Sequence, residues 1–243
     1  MSSLMPSLTA LLEAHPFGPL RLALGRAQYL HFKLFLKKRY EGFVLEQVCG
    51  APLVVAPGVL NPRLMRSGEF LAAQLEAQLG TRTAEVLDMG TGSGVGAVVA
   101  ARHARRVVAV DISPAAVRCA RANVLLNRLE DRVEVLEGDL FAPVAGRRFD
   151  VVLFNPPFFQ GVPRDDADRA WRSTDVAERF AARLRDHLAP GGFALVLLSS
   201  AGGAAEFLRQ FQRHDFAMTP AAEREYVNEK LILVKLSDLC VSR

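Results

Sequence analysis

Cysteine is scarce in this chain, tryptophan occurs once, and no long apolar run is present. Cys49, Cys119 and Cys240 are scattered and form no C-x-x-C pair. That argues against a disulfide framework or a structural zinc site and favours a reducing compartment. The richest apolar run, residues 193–198, falls far short of the roughly 18 residues of a membrane helix. No basic residue precedes Arg21, Glu13 is acidic, and no small-residue cleavage site follows an apolar core. Neither a secretory signal nor a membrane anchor is expected, and the location read from the chain is cytoplasmic. Internal repeats and low-complexity tracts are absent. Charge of one sign is only mildly in excess, at +4. Basic clusters at Lys33, Lys37, Lys38 and Arg39, and at Arg102, Arg105 and Arg106, can meet nucleic acid, but a surplus of this size is more often a solvated face.

With 243 residues, half of them hydrophobic, the chain suits one α/β domain with a modest extension. Residues 4–14 and 20–36 have helical spacing, and 43–48 and 53–55 read as strands of a hairpin around Gly50, Ala51 and Pro52. Residues 1–60 are therefore expected to form a small N-terminal cap, and 61–243 the main domain. Asn61 and Pro62 open an expected helix running to 79. Strands follow at 84–88, 106–110, 132–136, 150–154 and 193–198, alternating with helices at 95–103, 114–126 and 173–188. A last helix is expected at 204–213 and two final strands near 216–218 and 230–236. Ser113 and Pro114 are a good helix start, and the stretch between 136 and 150 is too short for a crossover helix. The alternation predicts a doubly wound, mostly parallel sheet.

Chemistry gathers at the strand ends. After the first main strand, Asp88 is followed by a turn holding Gly90, Thr91, Gly92 and Gly94, then a small-residue helix. Strand, glycine turn and helix bring backbone N–H groups and a positive helix end to a ligand. Residues 92–97 also satisfy the G-x-G-x-x-G/A pattern of nicotinamide and flavin folds, so the turn alone does not decide the ligand. Asp111, ending the second strand, is suited to two ribose hydroxyls. Asp139, ending the third, can accept from an adenine amino group, with Leu140 or Ile112 against the ring. The fourth strand ends in Asn155, Pro156, Pro157 and Phe158. Two prolines there stiffen the backbone, remove two N–H donors and leave carbonyls outward. Asn155 adds a side-chain carbonyl and Phe158 a flat face, a combination suited to a planar nitrogen group.

In this order, D-x-G-x-G-x-G, Asp111, G-D-L-F and N-P-P-F resemble the class I S-adenosylmethionine-dependent methyltransferases. The likeness is greatest to the methyltransferase small domain group, which holds release-factor glutamine and RNA or DNA exocyclic-amine enzymes. It covers roughly residues 60–236. The resemblance implies a Rossmann-like seven-stranded sheet whose last strand is antiparallel, with S-adenosyl-L-methionine as cofactor. It also implies that Asp88 and the Gly90–Gly94 backbone hold the methionine end, Asp111 the ribose and Asp139 the adenine. Asn155 and the Pro156 carbonyl would bind the substrate nitrogen, with Phe158 stacking on it. The implied substrate is an RNA base or a protein glutamine. Small-molecule N-methylation and, further off, an NAD(P)-dependent oxidoreductase are the alternatives. The oxidoreductase reading is disfavoured by Asp88 and by the lack of a Tyr-x-x-x-Lys set.

Substrate is expected to enter along residues 159–174, which carry Trp171. Arg164, Arg169 and Arg172 either contact phosphates and a base or pair with Asp165, Asp166 and Asp168 in a lid. In the family such N-terminal extensions usually select the substrate.

Overall fold

The computed structural model describes Leu8 and residues 42–79, 84–164, 170–226 and 229–238. The expected helices at 4–14 and 20–36 lie outside the described residues, apart from Leu8, as do Cys240 and the cluster from Lys33 to Arg39.

Among the described residues after Leu8, a hairpin of β1 (Val44–Val48) and β2 (Ala51–Val55) comes first, turning at Cys49 and Gly50, both with positive φ. Helix α1 (Ser67–Leu79) follows. The chain then alternates β3 (Glu85–Met89), α2 (Val95–Ala100), β4 (Arg106–Asp111), α3 (Pro114–Leu126) and β5 (Val133–Glu137). A single 3₁₀ turn, Ala142–Val144, leads into β6 (Phe149–Phe154), as the short connection requires. Beyond it lie two-residue strands β7 (Phe159–Gln160) and β8 (Arg172–Ser173), α4 (Val176–Leu184), β9 (Leu188–Ser199), α5 (Ala204–Arg213), β10 (Phe216–Glu225) and β11 (Lys230–Asp238).

Seven strands form the main sheet in the order β10-β11-β9-β6-β3-β4-β5. Pairings from β9 to β5 are parallel, and β11 is antiparallel to both of its neighbours. The expected doubly wound sheet with an antiparallel last strand is the observed one. Successive strand residues point to opposite faces, and the burial follows that rule. Val86, Val107, Ala109, Val151 and Leu153 join one core cluster with α1, α2 and the hairpin. Leu87, Met89, Val108, Val110, Val152 and Phe154 join the other with α4 and α5. A sheet covered on both faces has no polar alternation, which is why its strands read as plain apolar runs. In α4 the buried set Ala177, Phe180, Ala181 and Leu184 has the i, i+3, i+4, i+7 spacing of one helical stripe.

Several boundaries differ from the sequence expectation. Helix α1 starts at Ser67, not near 61, because Arg66 takes a left-handed φ of 58° that a continuous helix does not allow. Asn61 instead caps a separate turn, its Oδ1 accepting from the N–H groups of Arg63 and Leu64. Helix α4 ends at Leu184, and a 3₁₀ turn, Arg185–His187, leads into β9 at Leu188. Ser113 does cap α3, accepting from the Ala116 N–H, with Pro114 at the first helical position.

Asn123, fully buried on α3, ties three elements together. Its amide donates to the carbonyls of Val54 and Ser93 and accepts from the Val54 N–H. The hairpin is thereby bonded to the helix behind the glycine turn. The arginines at 102–106 have structural partners: Arg102 donates to the Cys49 carbonyl, and Arg105 and Arg106 pair with Glu85 and Glu134. Among the described residues no helix is long and apolar enough to cross a membrane.

Candidate active site

Chain order reverses at β3: β4 and β5 lie on one side of it, β6 and β9 on the other. At such a switch point the loops leave in opposite directions and open a crevice at the carboxyl ends of the strands. A cavity of about 340 Å³ occupies that crevice. Gly90, Thr91, Gly92, Asp111, Ile112, Asp139, Leu140 and Asn155 all line it. Residues from all four strand ends thus share one cavity. Further walls come from the 58–68 segment, from Ser113 and Ala116, and from Pro163 and residues 170–179.

The glycine turn runs through left-handed φ at Gly90, Gly92 and Gly94 (65°, 57° and 83°). A Cβ on Gly92 would meet no atom within 4 Å, so the bare main chain is open to a ligand there. Asp88 does not line this cavity. Fully buried, its Oδ2 accepts from the Thr91 hydroxyl at 2.6 Å and from the Ala97 N–H at 2.8 Å, pinning both the turn and the start of α2. Burial pushes its carboxyl up to about 6, against those two hydrogen bonds and with some help from the Asp111 charge. Gly94 also stands behind the wall, against Ala120.

Asp111 is oriented by the backbone. Its Oδ2 accepts from the Gly92 N–H at 2.8 Å and its Oδ1 from the Ser113 N–H at 2.9 Å. Burial raises its pKa, opposed by these bonds. Each oxygen retains an acceptor site, so the carboxylate is fixed in place and still able to receive two hydroxyl groups. Asp139 is about half exposed and ion-paired with Arg179 of α4.

Asn155 follows Phe154, whose ring packs on Phe180 and Phe207 with centroids 4.4 and 6.3 Å away. This brace fixes the strand end. The Asn155 amide donates to Ser67 Oγ at 3.2 Å, while its Oδ1 is buried without any hydrogen-bond partner. A buried acceptor left unpaired is costly, and this one belongs to a residue that also lines the cavity. Pro157 lines the cavity; Pro156 and Phe158 do not. Pro156 is buried, and the Phe158 ring is half-buried against the first core cluster. Behind it the Phe158 carbonyl accepts from the Gly203 N–H, and a Cβ on Gly202 would fall 2.2 Å from that oxygen. The Phe158 ring, expected as an open aromatic face, is half-buried and does not line this cavity.

Strands β7 and β8 give the expected entry segment a parallel pairing, Phe159 with Arg172 and Gln160 with Ser173. The Arg172 guanidinium lies 5.9 Å from the Phe159 ring centroid. Arg169, Asp165, Asp166 and Asp168 lie outside the described residues. Ser67 and the 58–65 wall carry no site signal in the sequence, where Asn61 and Pro62 read only as a helix start; their local signal is the run of turn formers Pro57, Gly58, Asn61, Pro62 and Gly68.

A family model described as the methyltransferase small domain matches residues 53–223. The chain belongs to that family. Within it, 152 residues are 38% identical to the ribosomal RNA small subunit methyltransferase C of Alcanivorax borkumensis, covering 62% of this chain and 43% of that one. Over 167 residues it is 35% identical to the release factor glutamine methyltransferase of Koribacter versatilis, covering 62% and 59%. The chain thus spans about half the length of these two relatives. The fold of this methyltransferase-family domain is also that of the T. thermophilus 16S rRNA N2 G1207 methyltransferase, solved with AdoMet and guanosine. That likeness has a TM-score of 0.56 at 23% identity and covers 81% of this chain and 50% of that one.

Proposed function

We propose that this protein transfers a methyl group from S-adenosyl-L-methionine to a planar amide or exocyclic amine nitrogen, on an RNA base or a protein glutamine. The observation that carries this reading is that Asn155, whose Oδ1 has no hydrogen-bond partner, lines the same cavity as the glycine turn and Asp111. The donor set fits the cofactor. Bare backbone at Gly90–Gly92 suits its amino-acid end, the spare acceptor sites of Asp111 suit its ribose, and Asp139 with Ile112 and Leu140 suits its adenine. When bound, the cofactor supplies a methyl group on a positively charged sulfur. Asp88 serves the site from behind, as the anchor of the turn.

An amide or aryl amine nitrogen is a weak nucleophile because its lone pair is delocalised. A carbonyl acceptor on one of its hydrogens favours a more tetrahedral nitrogen and stabilises the positive charge that develops there. Asn155 Oδ1 is that acceptor, and Pro156 and Phe158, which stand behind the cavity wall, brace the turn that carries it. Ser67 holds the Asn155 amide in place. Ser67→Ala is expected to slow transfer about three- to tenfold by freeing the amide to rotate, with S-adenosylhomocysteine affinity unchanged and Ser67→Thr restoring most of the rate. Residues Gly58–Leu60 also line the cavity, which supports a share in substrate selection for the extension up to residue 60.

Calorimetry with S-adenosylhomocysteine tests the reading directly. Binding in the micromolar range is expected, and folded protein that gives no heat and no thermal shift at millimolar ligand would overturn it. Label from the radioactive methyl donor, followed into RNA and protein from cells lacking the enzyme, then identifies the acceptor polymer.

A further inference from the structure

The acceptor expected to receive an adenine amino group already has a donor. Arg179 Nη2 pairs with Asp139 Oδ2, and Nη1 of the same guanidinium lies 3.7 Å from Asp175 Oδ2. All three side chains line the cavity that holds Asp111 and Asn155. A charged donor on a carboxylate both occupies an acceptor site and drains the charge that a neutral amine would use.

We infer that Arg179 competes with the ligand's ring amine for Asp139 and so sets how strongly this site selects an amino-bearing purine. This rests on the proposal that the cavity takes an adenosine-containing donor. Asp175 makes the exchange inexpensive, because a guanidinium released from Asp139 keeps a second carboxylate within reach. The pair is about half exposed, a setting in which ion pairs contribute little, so a ligand can displace it. The exchange is also tied to the nitrogen site. Ser173 Oγ accepts from the N–H groups of Asp175 and Val176 at the start of α4. Ser173 is paired through β8 to β7, which directly follows the Asn155–Phe158 turn. Arg179 and Asn155 therefore sit at two ends of one continuous support.

The test is calorimetry with adenosine and with inosine, which carries an oxygen where adenosine carries the amino donor. Wild type, Arg179→Ala, Arg179→Gln, Asp139→Asn and the Arg179→Ala/Asp139→Asn double variant are compared at low and high salt. Both Arg179 variants are expected to bind adenosine about two- to fivefold more tightly at low salt. The gain should shrink at high salt, with inosine affinity unchanged. Removing Arg179 should add nothing once Asp139 is Asn. Unchanged or weaker adenosine binding by both variants, or an equal gain for inosine, overturns the inference. If wild type binds S-adenosylhomocysteine and only the Arg179 effect is missing, this inference alone fails. If wild type binds neither nucleoside nor S-adenosylhomocysteine, the methyl-donor reading falls with it.

Discussion

Asn155→Ala is expected to cut methyl transfer by about 10²–10³-fold, the usual cost of removing one preorganised partner of transition-state charge. The same substitution should leave S-adenosylhomocysteine affinity within about twofold, because the residues suited to the cofactor lie at the ends of β3, β4 and β5. Stability is the second readout. The Asn155 carbonyl is buried without a hydrogen-bond partner, a burden of about 1–3 kcal/mol. Its amide makes one bond to Ser67, worth about 1 kcal/mol net. Truncation removes both, so the melting temperature should hold or rise while activity collapses. That opposition marks a group kept for chemistry at the expense of stability. Transfer by Asn155→Ala at the wild-type rate, with label entering the same acceptor, would sink the assignment.

What the sequence made legible at this site was local. The glycine turn, Asp111, Asp139 and Asn155 each stand at the end of an apolar run, and alternation of runs with amphipathic helices is enough to bring strand ends to one edge. The walls were another matter. Asn61 is a capping residue whose amide also reaches Glu46, and Ser67 meets Asn155 from 88 positions away in the chain. Short polar residues near prolines and glycines announce a turn, but the contact that makes them functional is tertiary. Strand β10 outruns its expected span for a different reason. It runs to Glu225 instead of stopping near 218, because its later half holds Pro220 at a bulge and then Glu223, Arg224 and Glu225 on a sheet edge. Those are the residues that protect edge strands and that also erase strand periodicity. Asp88 was legible as part of the site but not in its orientation. A strand residue adjoining a glycine turn can face the ligand or the turn, and the Thr91 and Ala97 donors decide for the turn.

Asp88 carries the other large effect, and it depends on pH. Its carboxyl rises from an ordinary 3.8 to about 6, chiefly through burial. A folded-state value above the unfolded one means that the folded protein holds the proton more tightly. The stability linked to that proton is fully present below about pH 4 and is lost as pH rises through 6. The gap between 3.8 and about 6 corresponds to about 3 kcal/mol. At neutral pH the ionised carboxylate is therefore destabilising relative to its neutral form, although it accepts from Thr91 and Ala97. Asp88→Asn keeps the shape: the Thr91 hydroxyl and the Ala97 N–H both meet one oxygen, Oδ2, and the amide carbonyl can take its place as acceptor for both. Urea unfolding from pH 4 to 7.5 should then show the variant gaining on wild type by up to about 3 kcal/mol across the range, most of it between pH 4 and 6. Asp111, also raised by burial, contributes with the same sign in both proteins and largely cancels in the difference. Parallel stability curves for the two proteins would return Asp88 to an ordinary carboxyl and remove the penalty. A pair that separates in the variant's favour as pH rises would instead mean that the glycine turn is held by a charge the fold tolerates at a cost, with one buried oxygen, Oδ2, taking both the Thr91 hydroxyl and the Ala97 N–H.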